Sequence, residues 1–141
     1  MNTLFRSATL LACLGAAIAV QAQTPALPAP KTLPSGVALT WTAAGSGARP
    51  LATDTVQVHY RGTLLDGKEF DSSFKRGEPT SFPLNRVVPC WTQALQEMKV
   101  GDTADVTCPP ATAYGERGVP GVIPANSTLK FQVQLLAVKG K

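Results

Sequence analysis

Apolar and polar residues alternate along most of this chain with the period of two expected of strands that bury one face. The clearest run spans Thr53 to Leu65, where Val56, Val58 and Tyr60 share one face and Gln57, His59 and Arg61 the other. Val37–Thr42, Asp102–Cys108 and Thr128–Val138 read the same way, with Ala104, Val106 and Cys108, then Leu129, Phe131, Val133 and Leu135, on the buried side. Lys68–Ser73 and Thr80–Leu84 are shorter pieces, and Pro83 puts the second at an edge or bulge. Asp66-Gly67 joins two of these runs as a hairpin turn. One segment, Arg86–Met98, breaks the period. There Trp91, Leu95 and Met98 recur at spacings of four and three, so they share a helical face. Pro89 suits the first helical position, and Lys99-Val100-Gly101 predicts the end, with a cation in the last turn and a glycine after it. The pattern predicts an α+β domain, five to six antiparallel strands around one short helix.

The N-terminus reads differently. Met1–Arg6 carries one positive charge, Ala8–Val20 is almost wholly apolar, and Val20-Gln21-Ala22 offers a cleavage site, so residues 1–22 are expected to be a secretory signal peptide. The apolar run falls short of the ~20 residues of a membrane span. Leu10-Leu11-Ala12-Cys13 also resembles a lipoprotein processing box with Cys13 lipidated, but the apolar run continues past Cys13 and favours cleavage near Ala22. Residues 23–35 are rich in proline and alanine and read as an extended linker, with the domain proper over 36–141. No second hydrophobic stretch approaches the length of a membrane span.

The full chain carries 13 Lys and Arg against nine Asp and Glu; losing Arg6 with residues 1–22 leaves a net charge of +3. The basic residues are scattered, with Lys75-Arg76 the one adjacent pair, which argues against nucleic acid as a partner. Of three cysteines, Cys13 leaves with the signal. Cys90 and Cys108 remain as an even pair in an oxidising compartment, either bridged or present as two buried thiols. A bridge would tie the helix start to a strand end and hold the neighbouring Trp91, linking redox state to its position. Two cysteines and the lone His59 have no metal-ligand spacing, so neither metal nor cofactor is expected.

No serine or cysteine nucleophile comes with a base and an orienting acid, and no phosphate-cradling glycine motif is present. Hydrolase and kinase chemistries are thereby excluded. What stands out is a set of rings, Tyr60, Phe70, Phe82, Trp91, Tyr114 and Phe131. Their ordinary reading is core. Two polar groups argue for more: Asp71 follows Phe70 directly, and Tyr114 lies in the long, glycine- and proline-punctuated loop 111–127, a length usually reserved for function.

The motifs V-H-Y-R-G-T-L-L-D-G-K-E-F-D-S-S, V-V-P-C-W-T-Q-A-L-Q-E-M-K-V-G and A-Y-G-E-R-G-V-P-G-V-I-P-A-N-S-T-L-K-F-Q-V-Q-L-L, in this order over residues 36–139, resemble the FKBP-type peptidyl-prolyl cis–trans isomerases. The short connection from Phe82 to Val87 is similar to the secreted bacterial branch that includes the macrophage infectivity potentiator proteins, without that group's dimerisation helix. The resemblance implies an antiparallel half-barrel around the helix and a periplasmic or secreted location. It implies a monomer acting on X–Pro bonds of unfolded polypeptides, and macrolide immunosuppressants as ligands. It makes Trp91 the pocket floor and Tyr60, Phe70, Val87, Val88 and Phe131 its walls, with Ile123 beside it. Asp71, the Val88 N–H and the Tyr114 hydroxyl become the polar groups of catalysis, with no covalent intermediate. Thr80 stands where many members have an aromatic residue, and Val119 where cytosolic members have a histidine. Both departures bear on substrate preference and macrolide affinity, and they motivate the alternative of a non-catalytic chaperone or prolyl-peptide-binding module.

Overall fold

In a computed structural model of the chain, residues 26–140 and Gly15 are described. The expected signal peptide and Cys13 lie outside the described residues. Seven strands form one antiparallel sheet: β1 Lys31–Thr32, β2 Ala38–Ala43, β3 Thr55–Leu64, β4 Glu69–Ser72, β5 Thr80–Pro83, β6 Thr103–Cys108 and β7 Leu129–Val138. Their spatial order is β1-β2-β6-β7-β3-β4, with β5 also on β3. β3 carries two partners along one edge: Thr55–Val58 pair with β5 and Arg61–Thr63 with β4, while its other edge pairs with β7 along nearly its whole length. Pro83 sits at the end of β5, which has β3 as its one partner. The alternation read from sequence is the observed burial: Val56, Val58, Tyr60, Ala104, Val106, Cys108, Leu129, Phe131, Val133 and Leu135 are all in the core.

The helix runs from Pro89 to Leu95, with Cys90, Trp91, Ala94 and Leu95 buried. We label it α2. It ends a turn before the expected Lys99–Gly101. Beyond Leu95 the hydrogen bonds tighten to three-residue steps, Glu97 N–H to Ala94 O and Met98 N–H to Leu95 O. The buried carboxylate of Asp102 then takes the Lys99 N–H at 2.9 Å, the Gly45 N–H at 2.6 Å and the Trp41 indole N–H at 2.9 Å. Met98 is nevertheless fully buried. A tertiary acceptor satisfies the backbone where another helical turn would have.

Two further differences have local causes. Residues after Ser72 form a four-residue helix, α1, Ser73–Arg76, between the two short pieces read from sequence. Ser72 caps it by accepting the Lys75 N–H, and Gly77 ends it in the left-handed conformation. So short an element has no hydrophobic period to betray it. Within the expected linker, Lys31 and Thr32 pair with Leu39 and Ala38 as a two-residue edge strand, β1, and Lys31 forms an ion pair with Glu97 at 2.7 Å. β1 brings the count to seven strands, one above the expected five to six. Cys90 and Cys108 are joined by a disulfide, with Cα atoms 5.7 Å apart. It ties the first turn of α2 to the end of β6. Among the described residues, no helix is long and apolar enough to cross a membrane.

Candidate functional site

The missing side chain of Gly62 on β3 lets rings from two neighbouring strands meet. β4 shifts register between Gly62 and Thr63, and a Cβ on Gly62 would lie 2.6 Å from Phe70 and 2.9 Å from Phe131. Those two rings pack edge-to-face with centroids 5.6 Å apart. A methyl group there forces one of them aside. Gly62→Ala is therefore expected to cost about 1–3 kcal/mol, read as a lower urea midpoint; an unchanged midpoint would show that the ring pair yields freely.

Trp91 lies at the centre of the ring cluster. Tyr60, Phe82 and Phe131 each meet it edge-to-face, at centroid distances of 5.0, 5.3 and 5.3 Å. Such pairs add about 0.5–1.5 kcal/mol each beyond their area. Helix α2 presents Trp91 because Pro89 starts the helix and the disulfide at Cys90 anchors it one residue earlier. The indole N–H of Trp91 is buried and has no partner among the described residues. Over this floor opens a cleft of about 370 Å³, walled by Tyr60, Phe70, Phe82, Val87, Val88 and Phe131, with Asp71, Arg86 and Tyr114 at its polar positions.

Tyr60 is fixed from two sides. Behind it, the buried Ser73 hydroxyl accepts its backbone N–H at 2.7 Å and donates to its carbonyl at 3.2 Å. In front, its hydroxyl donates to Asp71 and accepts from Arg76 at 3.0 Å. Arg76 also reaches Asp71 at 2.5 Å and lies 5.7 Å from the Tyr60 ring centre. Partial burial works to raise the Asp71 pKa, but the hydrogen bonds from Tyr60 and Arg76, with the Arg76 charge, outweigh it and hold the carboxyl below its ordinary value. Burial, then the Asp71 hydrogen bond, pushes the Tyr60 phenol up. The cluster therefore holds a carboxylate and a neutral phenol at neutral pH.

A carboxyl whose folded pKa is depressed contributes stability that is complete above its unfolded value of about 3.9 and is lost as pH falls through the folded pKa. Asp71→Asn is expected to flatten the acid limb of the stability curve below about pH 4. Urea unfolding of both proteins at pH 3 and pH 7 checks this, and parallel curves would refute it.

The cleft gathers Tyr60, Phe70, Asp71, Val87, Val88, Trp91, Tyr114 and Phe131. Tyr114 is 41% exposed and bonds to nothing through its hydroxyl among the described residues, leaving it available over the cleft. Its backbone is held by the Ala113 and Gly115 N–H groups, both donating to Pro110 O, at 3.0 and 2.8 Å. Among the described residues the Val88 N–H also has no partner, while the Val88 carbonyl accepts from Trp91 and Thr92. Ile123 is not among the cleft's lining residues. It is buried and faces a separate recess with Leu64 and Pro124, because Val119 and Ile123 close their loop through paired hydrogen bonds of 2.8 Å. Val119 likewise stands outside the cleft. Sequence reasoning left Phe82, Arg76 and Arg86 out of the site. Phe82 was visible as a ring, but Arg76 reaches Asp71 only because α1 turns the chain back toward that carboxylate. Thr80 is not among the cleft's lining residues either, and its hydroxyl accepts from Arg76 at 3.4 Å.

The described residues thus form an open antiparallel sheet packed on α2, with a ring-lined cleft floored by the tryptophan of that helix. The family described as FKBP-type peptidyl-prolyl cis-trans isomerase matches residues 47–136, and the chain belongs to it. The FKBP-type peptidyl-prolyl cis-trans isomerase FkpA of Escherichia coli K12 is 52% identical over 109 residues, covering 77% of this chain and 40% of the relative. The outer membrane protein MIP of Legionella longbeachae is 49% identical over 107 residues, covering 76% and 46%. The crystal structure of FkpA from Escherichia coli superposes with a TM-score of 0.75 at 51% identity, covering 78% of this chain and 51% of that one. The chain spans about half or less of the length of these relatives.

Proposed function

We propose that this chain accelerates cis–trans isomerisation of X–Pro bonds in unfolded polypeptides during folding of exported proteins, acting as a monomer. The observation that carries it is the Trp91-floored cleft that gathers the Asp71–Tyr60–Arg76 cluster with the free Tyr114 hydroxyl and Val88 N–H. Rotation about the bond faces a barrier of ~18–20 kcal/mol, set by amide resonance. Uncatalysed exchange takes on the order of 10–100 s. The twisted transition state has lost conjugation and carries less charge separation than the planar amide, so a cleft walled by rings favours it over the ground state. The proline ring seats on Trp91. Val88 and Tyr114 donate to carbonyls flanking the bond and hold the chain in a turn. Asp71 presents its carboxylate to the rotating carbonyl's carbon end. None of this needs a nucleophile or a leaving group.

Export is supported by the apolar N-terminal pattern of residues 1–22, by the Cys90–Cys108 bridge and by the outer membrane name of the Legionella relative. A macrolide ligand occupies the same cleft and competes with substrate.

Refolding of a protein limited by a slow X–Pro step, with catalytic amounts of residues 23–141, tests the reading. Acceleration is expected, and Asp71→Ala or Tyr114→Phe should reduce it while circular dichroism stays native. No acceleration by a folded, monomeric chain would sink the isomerase. Aggregation suppression that persists in such a chain would then favour the non-catalytic prolyl-peptide-binding module, the reading that Thr80 and Val119 motivate.

A further inference from the structure

One charged group in the cleft is not absorbed by this mechanism. Arg86 closes the 3-10 turn Leu84–Arg86 and lines the cleft beside Val87 and Val88. The turn is pinned to the core. Leu84 is fully buried, its N–H donates to Asp54 O at 2.9 Å, and its carbonyl accepts the Thr92 hydroxyl at 2.5 Å. The Arg86 side chain therefore leaves the rim from a fixed backbone. Among the described residues, no carboxylate forms an ion pair with it. The other charge lining the cleft, Asp71, is already matched by Arg76 at 2.5 Å. The cleft thus keeps one net positive charge, on a residue two positions before Val88, whose N–H takes a substrate carbonyl in the proposed mechanism.

We propose that Arg86 is a specificity-determining residue that favours polypeptides with an aspartate or glutamate within one or two residues of the proline. The inference rests on the isomerase reading and deepens it to a substrate class. A guanidinium offers paired N–H donors in a fixed fork that fits a carboxylate, and at this exposed rim its desolvation cost is small. Exposed pairs are weak, so the discrimination is modest: about two- to fivefold at low salt. It shrinks as salt shortens the Debye length to about 3 Å at 1 M.

The test is a peptide series with Glu, Gln or Lys placed before or after the proline. The ratio of kcat/KM for Glu over Gln is measured at low and high salt for the wild-type chain, Arg86→Gln and Arg86→Glu. Arg49→Gln removes the same charge from a separate recess, beside Trp41. The expected ratio is about two to five in the wild type and in Arg49→Gln, close to one in Arg86→Gln, and below one in Arg86→Glu. A ratio at or below one in the wild type overturns the proposal. So does a ratio that falls equally in Arg49→Gln, which would assign the preference to net charge. If no peptide is turned over, the isomerase reading fails. The same ratio is then read from binding, through tryptophan fluorescence, and the same outcomes decide the role of Arg86.

Discussion

Trp91→Ala is expected to remove most of the activity and much of the stability together. Trp91 is only 4% exposed and touches Tyr60, Phe82 and Phe131 edge-to-face, so truncation empties the middle of the ring cluster. Large aromatic truncations in cores cost about 3–5 kcal/mol. In the proposed mechanism the loss is the surface on which the proline ring would seat, and misplacement on the scale of 1 Å costs up to about a hundredfold. Trp91→Phe separates the two effects. It keeps a ring at the floor and deletes an indole N–H that is buried without a partner, a group whose burial costs about 1–3 kcal/mol. Its stability loss should therefore be well below that of Trp91→Ala, while kcat/KM still falls because the floor is smaller. Urea unfolding and a proline-peptide assay on both variants give the comparison. Full activity in Trp91→Ala would remove the floor from the mechanism.

Breaking the Cys90–Cys108 bridge is expected to cost roughly 3 kcal/mol in the chain-entropy model, since its ends are 18 residues apart in sequence. At about 4–8 °C per kcal/mol for a domain of this order, the Tm falls by roughly 12–24 °C. Both cysteines are fully buried, so reduction requires partial opening and is slow. The double variant Cys90→Ala, Cys108→Ala avoids that delay. Because Cys90 precedes Trp91, loss of the bridge should also alter the near-UV spectrum and lower kcat/KM at temperatures where the variant is fully folded. Thermal melts of the oxidised, reduced and double-variant proteins check the first effect. An unchanged Tm would mean that close packing of the two sulfur sites carries the stability without the covalent link.

Much of the cleft was legible before any coordinates, for a physical reason. Period-two alternation reports which residues a strand buries, and that placed Tyr60 and Phe131 inward on β3 and β7. The change of period at Arg86–Met98 placed Trp91 on the buried face of α2. What alternation does not carry is how far an element runs once another part of the chain competes for its backbone. Helix α2 stops at Leu95 because the carboxylate of Asp102, which also holds Trp41 and Gly45, takes the Lys99 N–H. Lys31–Thr32 becomes a strand because β2 offers an open edge.

The same division holds for the site. Rings could be read as rings, and Asp71 as a carboxylate beside one of them, but charge neutralisation is a matter of distance. Arg76 meets Asp71 and Tyr60 through a four-residue helix whose caps, Ser72 and Gly77, are local and whose direction is not. Ile123 parts from the cleft because its loop closes on Val119. The amino-acid order by itself determined which faces are buried, where the helix begins and which residue types supply the chemistry, since these follow from side-chain period and backbone preference. Only the tertiary structure decided which side chains meet, because contacts between residues far apart in sequence depend on the register of seven strands and on the few buried polar groups that hold them.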